Sequence, residues 1–164
     1  MNGTRNLVFM GLLVAAALAL SFVESFLPSP VLPGAKIGLA NIVTVAALYL
    51  LPRTRDAALV LAARVMLGGI FAGGASFLYS AAGAALSFCV MAFLKKTGKF
   101  GIVAVSAAGG FFHNTGQLLM AAATVSSSPL FFAYMPALGL AGLLAGGLVG
   151  FAAEKGMGRW KPGK

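Results

Sequence analysis

The segment KIGLANIVTVAALYLLP, residues 36–52, is apolar over most of its length, yet it begins with Lys36 and carries Asn41 five residues later. The rest of the chain has the same character: 60% of its 164 residues are hydrophobic, 9% are charged, and the mean hydropathy is +0.96. A soluble domain of this size cannot bury so much apolar surface. The composition therefore predicts an all-α integral membrane protein, because helices satisfy their own backbone groups in lipid.

The chain divides into six apolar stretches separated by short breaks. A membrane span needs about 20 residues, so the second and third stretches are short and the others are ample. The first stretch also resembles a signal peptide, but five further stretches follow it, and we expect it to be retained as a helix. We predict a single six-helix transmembrane domain over residues 1–164, with helices at about 6–27, 35–51, 57–72, 76–94, 100–125 and 130–152.

Basic residues lie before the first predicted helix, in alternate breaks between the helices, and after the sixth. They are Arg5, Arg53, Arg55, Lys95, Lys96, Lys99, Lys155, Arg159, Lys161 and Lys164. Lys and Arg near helix ends favour the cytoplasmic side of a membrane, so we expect both termini in the cytoplasm. Because this topology accounts for the formal charge of +9, we expect no nucleic-acid partner.

Polar side chains interrupt the predicted helices at a similar depth. Counting inward from the predicted loops places them in the middle or in the outer half of the membrane: Glu24, Lys36, Asn41, Arg64, His113, Asn114 and Gln117. A charge at the bilayer centre costs about 2.5–3.5 kcal/mol, so Arg64 must be paired or face water. His113 and Gln117 are four residues apart and share a helix face. The pattern predicts a ligand pocket that opens to the outer side.

These residues also have structural interpretations. Glu24 and Arg64 could form a salt bridge that stabilises the bundle, and His113 could be a neutral histidine bonded to a neighbouring helix. Asn114 and Gln117 could hold helices together through hydrogen bonds. These interpretations and the pocket are not mutually exclusive.

The expected charge of the ligand depends on Lys36 and Arg64. Against these two cations, and a third if His113 is protonated, the predicted pocket has one carboxylate, Glu24. An unpaired cation in low-dielectric surroundings favours an anionic or strongly polar ligand. The alternative is that Lys36 reaches water and the pocket is neutral. The expected apolar or stacking walls are Tyr79, Phe111 and Phe112.

Small residues recur at four-residue spacing on two predicted helices and form flat ridges that allow close helix approach. The ridges are Gly11, Ala15 and Ala19 on the first helix and Gly142, Gly146 and Gly150 on the sixth. We expect the ridge on the sixth helix to pack inside the monomer. For the ridge on the first helix we expect an external protein partner.

The segments PGAKIGLANIVTVAALYLLPRTRDAALVLAARVMLGGIF, SFLYSAAGAALSFCVMAFLKK and GGFFHNTGQLLMAA are similar to the Gx transporter family, also called heptaprenyl diphosphate synthase component I. That family is similar in turn to the S components of energy-coupling factor transporters, six-helix proteins that capture micronutrients. The resemblance implies an S-component-like bundle in which the polar pattern is matched by Lys36, Gly38, Asn41, Arg64, His113, Asn114 and Gln117. It also implies that Ala15 and Ala19 match the Ala-x-x-x-Ala motif that docks a transmembrane coupling protein.

The sequence offers no signature of catalysis. Enzymes that ionise prenyl diphosphates hold Mg²⁺ through clustered carboxylates, whereas this chain has one aspartate, Asp56, and two separated glutamates. It also lacks the P-loop pattern G-x-x-x-x-G-K-[ST]. Cys89, the single cysteine, has no His or Cys at ligand spacing. We therefore expect a protein that is not an enzyme and that holds neither a metal nor a cofactor of its own.

These features together predict a membrane-embedded substrate-binding subunit for uptake of a small, anionic or polar micronutrient or cofactor precursor. It would work alone or with a transmembrane coupling protein and ATPase subunits, in a bacterial inner membrane. One alternative is a noncatalytic membrane partner of a polyprenyl diphosphate or quinone-pathway enzyme. Another is a purely structural subunit of a membrane complex.

Overall fold

The computed structural model describes residues 3–26, 39–72, 74–126 and 128–158. Within these ranges the chain is all-α, as predicted. It forms six helices: α1 (Gly3–Ser25), α2 (Leu39–Leu50), α3 (Thr54–Ala72), α4 (Gly74–Thr97), α5 (Ile102–Thr124) and α6 (Ser128–Gly158).

Several helices extend beyond the apolar stretches that predicted them. α3 begins at Thr54, α4 continues through Lys95 and Lys96 to Thr97, and α6 runs on through Lys155 to Gly158. Lys and Thr residues can continue a helix into water, where its exposed carbonyl groups form hydrogen bonds with other partners. An apolar stretch therefore marks the part of a helix that contacts lipid and does not mark the end of the helix. The predicted start of the second helix, at residue 35, lies outside the described residues.

Within the described ranges, three helices are long and apolar enough to cross a membrane, over Gly3–Glu24, Phe77–Thr97 and Phe131–Gly158. α2 is apolar but shorter, over Ala40–Leu50. The other two helices carry polar side chains within their apolar sequence, among them Arg64 in α3 and His113 in α5. The chain is therefore a membrane protein, and the six spans and the orientation of the termini remain predictions.

Five of the helices pack side by side in a closed ring. α5 lies between α4 and α6, α6 contacts α2, and α2 and α4 both contact α3, so these five helices form a ring. α1 packs at the side of the ring against α2 and α3. We call the end of the bundle where α1 ends and α2 begins the cavity end, and the opposite end the core end.

Buried apolar side chains concentrate at the core end. They come from five helices and are Val45, Ala47, Leu48, Leu51, Ala57, Val60, Met91, Val105, Val149 and Ala153. Asn6 on α1 joins this end by donating from Nδ2 to Oδ2 of the buried Asp56 on α3, at 3.1 Å. The core end is therefore the densely packed part of the bundle, and it leaves the other end free to hold a cavity.

Pro52 explains another contact at the core end. In a continuous helix the N–H of residue 52 would donate to the Leu48 carbonyl oxygen, but proline has no N–H. Lys95 on α4 donates to that oxygen instead, and its Nζ lies 5.2 Å from the centre of the Tyr49 ring. The end of α2 is thus capped by a cation from a neighbouring helix, as favoured at a helix C-terminus.

Glycines bring α5 and α6 into close contact. Gly110 and Gly142 face each other, and a methyl group on either would overlap the carbonyl oxygen of the other. Ser106 donates from Oγ to the Gly146 carbonyl oxygen at 2.7 Å. The ridge of Gly142, Gly146 and Gly150 therefore packs against α5 inside the monomer, as predicted from the sequence.

Candidate ligand cavity

A cavity of about 340 Å³ extends from the middle of the bundle toward the cavity end. All six helices contribute to its wall. The polar residues that line it are Ser21, Glu24, Asn41, Arg64, Tyr79, Ser80, His113, Asn114 and Gln117. Six of the seven residues predicted to form a ligand site therefore share one cavity. The seventh, Lys36, lies outside the described residues, as does Gly38.

The charged part of the wall is formed by Glu24 on α1 and Arg64 on α3. Glu24 lies near the end of α1 and its side chain is only 6% exposed. Its charge interacts with that of Arg64. Arg64 also donates from Nη1 to Oγ1 of the buried Thr44 on α2, at 3.3 Å. The bond to Thr44 thus holds the guanidinium of α3 against α2 at the wall of the cavity.

A second polar surface runs along one face of α5. Gly110, His113, Asn114 and Gln117 are spaced three or four residues apart and all line the cavity. Asn114 donates from Nδ2 to the Leu138 carbonyl oxygen on α6 at 2.7 Å, so its amide also joins two helices. This contact supports the structural interpretation for Asn114 without removing it from the cavity wall.

Gly83 on α4 packs directly against His113 and Gln117 on α5. A methyl group at this position would lie 2.6 Å from the His113 carbonyl oxygen and 2.7 Å from Cγ of Gln117. Because Gly83 has no side chain, α4 approaches this turn of α5 directly. The glycine therefore allows the close contact between α4 and α5 beside His113 and Gln117.

The aromatic wall differs from the expected one. Tyr79 lines the cavity as predicted, and its hydroxyl oxygen lies 3.1 Å from Oγ1 of Thr124 at the cavity end. Phe77 also lines the cavity and packs on Gly69. Phe111 and Phe112 are not among the lining residues, and Phe111 packs against Gly139 instead. The expectation for these two phenylalanines was wrong because they lie on faces of α5 turned away from the cavity.

Sequence reasoning missed the neutral part of the lining. Ser21 lies three residues before Glu24, and Ser80 lies next to Tyr79. Ser21 could have been predicted to line the cavity, because it lies three residues from Glu24 and positions three apart share a helix face. Phe77 had no such signal, because aromatic residues are common on every face of these helices.

The ridge on α1 lies on a different side of the helix from the cavity. Ala15 and Ala19 are exposed, and a methyl group on Gly11 would meet nothing within 4 Å. Ala17 is fully buried and Ser21 and Glu24 line the cavity, so α1 has an inner and an outer face. The ridge therefore does not pack within the described part of the chain.

The cavity wall brings together groups that can bind a small polar molecule. Charged groups, amides, hydroxyls and an imidazole converge on one space, where they can donate and accept hydrogen bonds in low-dielectric surroundings. Within the described ranges, no group of three or more His, Cys, Asp or Glu side chains could hold a metal ion. Glu24 is the one carboxylate among the residues of the cavity wall that the structure describes.

A sequence model of the family described as heptaprenyl diphosphate synthase component I matches residues 13–156. The match covers all six helices, from within α1 to within α6, and includes every described residue of the cavity wall. No curated protein and no solved structure matches the chain.

Proposed function

The chain belongs to the heptaprenyl diphosphate synthase component I family, and we propose that it is a membrane-embedded binding subunit that captures a small ligand in the cavity. The family name describes one component of a synthase, which is consistent with a noncatalytic membrane component. In the proposed arrangement the single domain spans the membrane six times with both termini in the cytoplasm. The cavity end then faces outward, where a subunit for uptake would meet its ligand.

The observation that carries this proposal is the convergence of polar groups in one cavity. Polar residues inside a membrane bundle are costly and are usually placed there for function. Hydrogen bonds between helices hold some of these groups in place, as for Asn114 with the Leu138 carbonyl oxygen and Arg64 with Thr44. Asn41, Arg64, His113, Asn114 and Gln117 all border one space of about 340 Å³. That volume suits a small organic molecule.

The charged residues of the described wall bear on the charge of the ligand. Arg64 and Glu24 carry opposite charges, so an excess of positive charge would have to come from Lys36, which lies outside the described residues, or from protonation of His113. We propose an anionic or strongly polar micronutrient or cofactor precursor, whose polar groups are met by the guanidinium and by the amides. Phe77 and Tyr79 supply the apolar contacts.

A coupling protein is the proposed partner for uptake. The exposed position of Ala15 and Ala19 supports this, because two small side chains four residues apart let another helix approach closely. The chain has no P-loop, so ATPase subunits would have to supply the energy for uptake.

The family name favours a second candidate function. It implies a protein partner, the other component of the synthase, and the chain would then be a noncatalytic membrane partner of a polyprenyl diphosphate or quinone-pathway enzyme. Native mass spectrometry of the purified protein distinguishes the two candidates. A bound small molecule supports the binding subunit, whereas capture of a soluble prenyl synthase by protein without such a molecule supports the second candidate.

A further inference from the structure

Gln117 on α5 has a side-chain amide that is open to the cavity. Gln117 lines the cavity, and its amide makes no hydrogen bond within the described part of the chain. Among the described residues, the buried side-chain nitrogen and oxygen atoms without a partner are Oδ1 of Asn6 and the hydroxyl oxygen of Tyr49, both at the core end. The two amide atoms of Gln117 are therefore accessible from the cavity, where they can bind another molecule.

The stem of this side chain is held by α4. Cγ of Gln117 lies so close to Gly83 that a methyl group on the glycine would be 2.7 Å from it. One residue earlier on α5, a methyl group on Gly116 would lie 2.8 Å from the Ala82 carbonyl oxygen, so the two helices are in direct contact at this turn. A side chain that is already restrained along its stem loses less conformational entropy when its amide binds. This restraint favours Gln117 as a binding group.

Asn114, one turn earlier on α5, adds an acceptor whose direction is fixed. Its Nδ2 donates to the Leu138 carbonyl oxygen on α6 at 2.7 Å. Because a carbonyl oxygen can only accept, the NH2 group must face Leu138, and Oδ1 must face away from it. This oxygen accepts no hydrogen bond from the residues that the structure describes. Side chains three positions apart on a helix have Cβ atoms about 5–6 Å apart, so Asn114 and Gln117 can contact the same small molecule.

These two amides match one kind of chemical group. A free glutamine amide can form two parallel hydrogen bonds with a group that carries an N–H and an acceptor on the same edge, as it does with adenine in nucleic-acid recognition. A second N–H on that group can donate to Oδ1 of Asn114. A carboxylate has no N–H, so it would bring its own oxygen toward Oδ1 of Asn114 and would be disfavoured at this position.

We propose that Gln117 and Asn114 form a subsite for an amide-type group, in which a carbonyl oxygen and an N–H lie on the same edge of the ligand. Primary amides, lactams and ureides have such an edge. The proposal rests on the proposed binding function and narrows its ligand class to polar molecules with this edge. The rings of Phe77 and Tyr79 in the same cavity wall suit a ligand that is planar beside the amide.

Benzamide and acetophenone are the probes for this subsite, because they have nearly the same size and shape and differ in an NH2 group against a methyl group. Their dissociation constants are measured by saturation-transfer NMR on the protein in lipid nanodiscs. Only the signal that Ala145→Phe removes is counted, because Ala145 lines the cavity and a phenyl ring there fills it. We expect wild type to bind benzamide about tenfold more tightly than acetophenone, although acetophenone is the more apolar of the two.

Gln117→Met keeps the stem that packs on Gly83 and removes the amide. It should abolish the preference for benzamide while the protein stays folded, because no hydrogen bond of the described bundle depends on this amide. Leu119→Met is the matched control, since it places the same thioether on the exposed side of α5, and it should keep the tenfold preference. The comparison of the two probes in wild type needs no substitution in the subsite.

The amide subsite would be overturned by equal binding of the two probes to wild type, by a preference that survives in folded Gln117→Met, or by the lack of any signal that Ala145→Phe removes. The proposed function is decided separately, by native mass spectrometry of wild type for a bound nonlipid molecule. A bound molecule together with equal binding of the probes would support the binding subunit and overturn its amide subsite.

Discussion

Arg64 on α3 donates a hydrogen bond from Nη1 to Oγ1 of Thr44 on α2, with 3.3 Å between the two atoms. Thr44 is buried, and the bond orients a cation that would otherwise be flexible in the middle of an apolar bundle. A guanidinium has five N–H donors, so one bond to Thr44 leaves others that can serve Glu24 or a ligand. The pair therefore defines a preorganised polar position in the proposed site.

Replacement of Arg64 by Gln should weaken ligand binding. Hydrogen bonds to charged groups contribute about 1.5–3 kcal/mol, so we expect roughly tenfold to hundredfold weaker retention of the copurified molecule. Arg55→Gln is the matched control, because this arginine is on the same helix and its side chain is 70% exposed. Retention is measured by native mass spectrometry after dialysis. Equal retention in folded Arg64→Gln and in wild type would exclude the guanidinium from binding.

Two adjacent glycines on α6 should respond oppositely to alanine. A methyl group on Gly146 would lie 2.5 Å from the Ser106 carbonyl oxygen, so Gly146→Ala should destabilise the protein by about 1–3 kcal/mol. Gly147 has nothing within 4 Å of that position, and alanine there should be neutral or stabilise the helix by up to about 1 kcal/mol. Thermal unfolding in detergent measures both. The same loss of stability in the two variants would contradict the described α5–α6 contact.

The ridge on α1 should be required for partner docking and not for folding. Leucine at both Ala15 and Ala19 blocks close approach of another helix, so complex formation should be lost while ligand retention stays near that of wild type. The control is leucine at Ala62 and Ala85, two exposed alanines on α3 and α4. Copurification of partner subunits is the measurement. If the ridge variant loses its fold or its ligand, the ridge belongs to the monomer.

The orientation in the membrane can be mapped by labelling of single cysteines in cells, with Cys89 replaced by Ser. Cysteines at Gly74 and Val125 should react with a reagent that cannot cross the membrane, because these positions lie at the cavity end. Cysteines at Thr54 and Thr97 should react only after the membrane is permeabilised. Labelling of position 97 from outside would reverse the proposed topology, which depends on the positive-inside bias.

The sequence was sufficient to group the charged, amide and imidazole side chains that interrupt apolar helices. Asn41, Arg64, His113 and Gln117 could be grouped because a polar group in lipid must face the interior, whatever the details of packing. Their convergence in one cavity follows from their similar depth. Because burying polar groups is costly, their positions in the sequence indicate which side of a helix faces the interior. The positions of apolar residues do not.

The apolar part of the wall could not be predicted in the same way. In a membrane bundle the outward faces are as apolar as the inward ones, so hydrophobicity does not reveal which side of a helix faces the interior. Phe111 and Phe112 were expected in the wall on proximity to His113 alone, and Phe77 was not expected. The contact between Lys95 and the Leu48 carbonyl oxygen could likewise not be predicted, because it joins helices that are far apart in sequence.

The central claim is that the cavity holds a small molecule, and native mass spectrometry of three matched proteins tests it most directly. Ala145 lines the cavity, whereas its neighbour Leu144 is 61% exposed, so Ala145→Phe fills the cavity and Leu144→Phe adds an aromatic ring outside it. We predict that wild type and Leu144→Phe carry the same bound nonlipid molecule and that folded Ala145→Phe does not. A wild-type protein without such a molecule, or its persistence in Ala145→Phe, would contradict the claim.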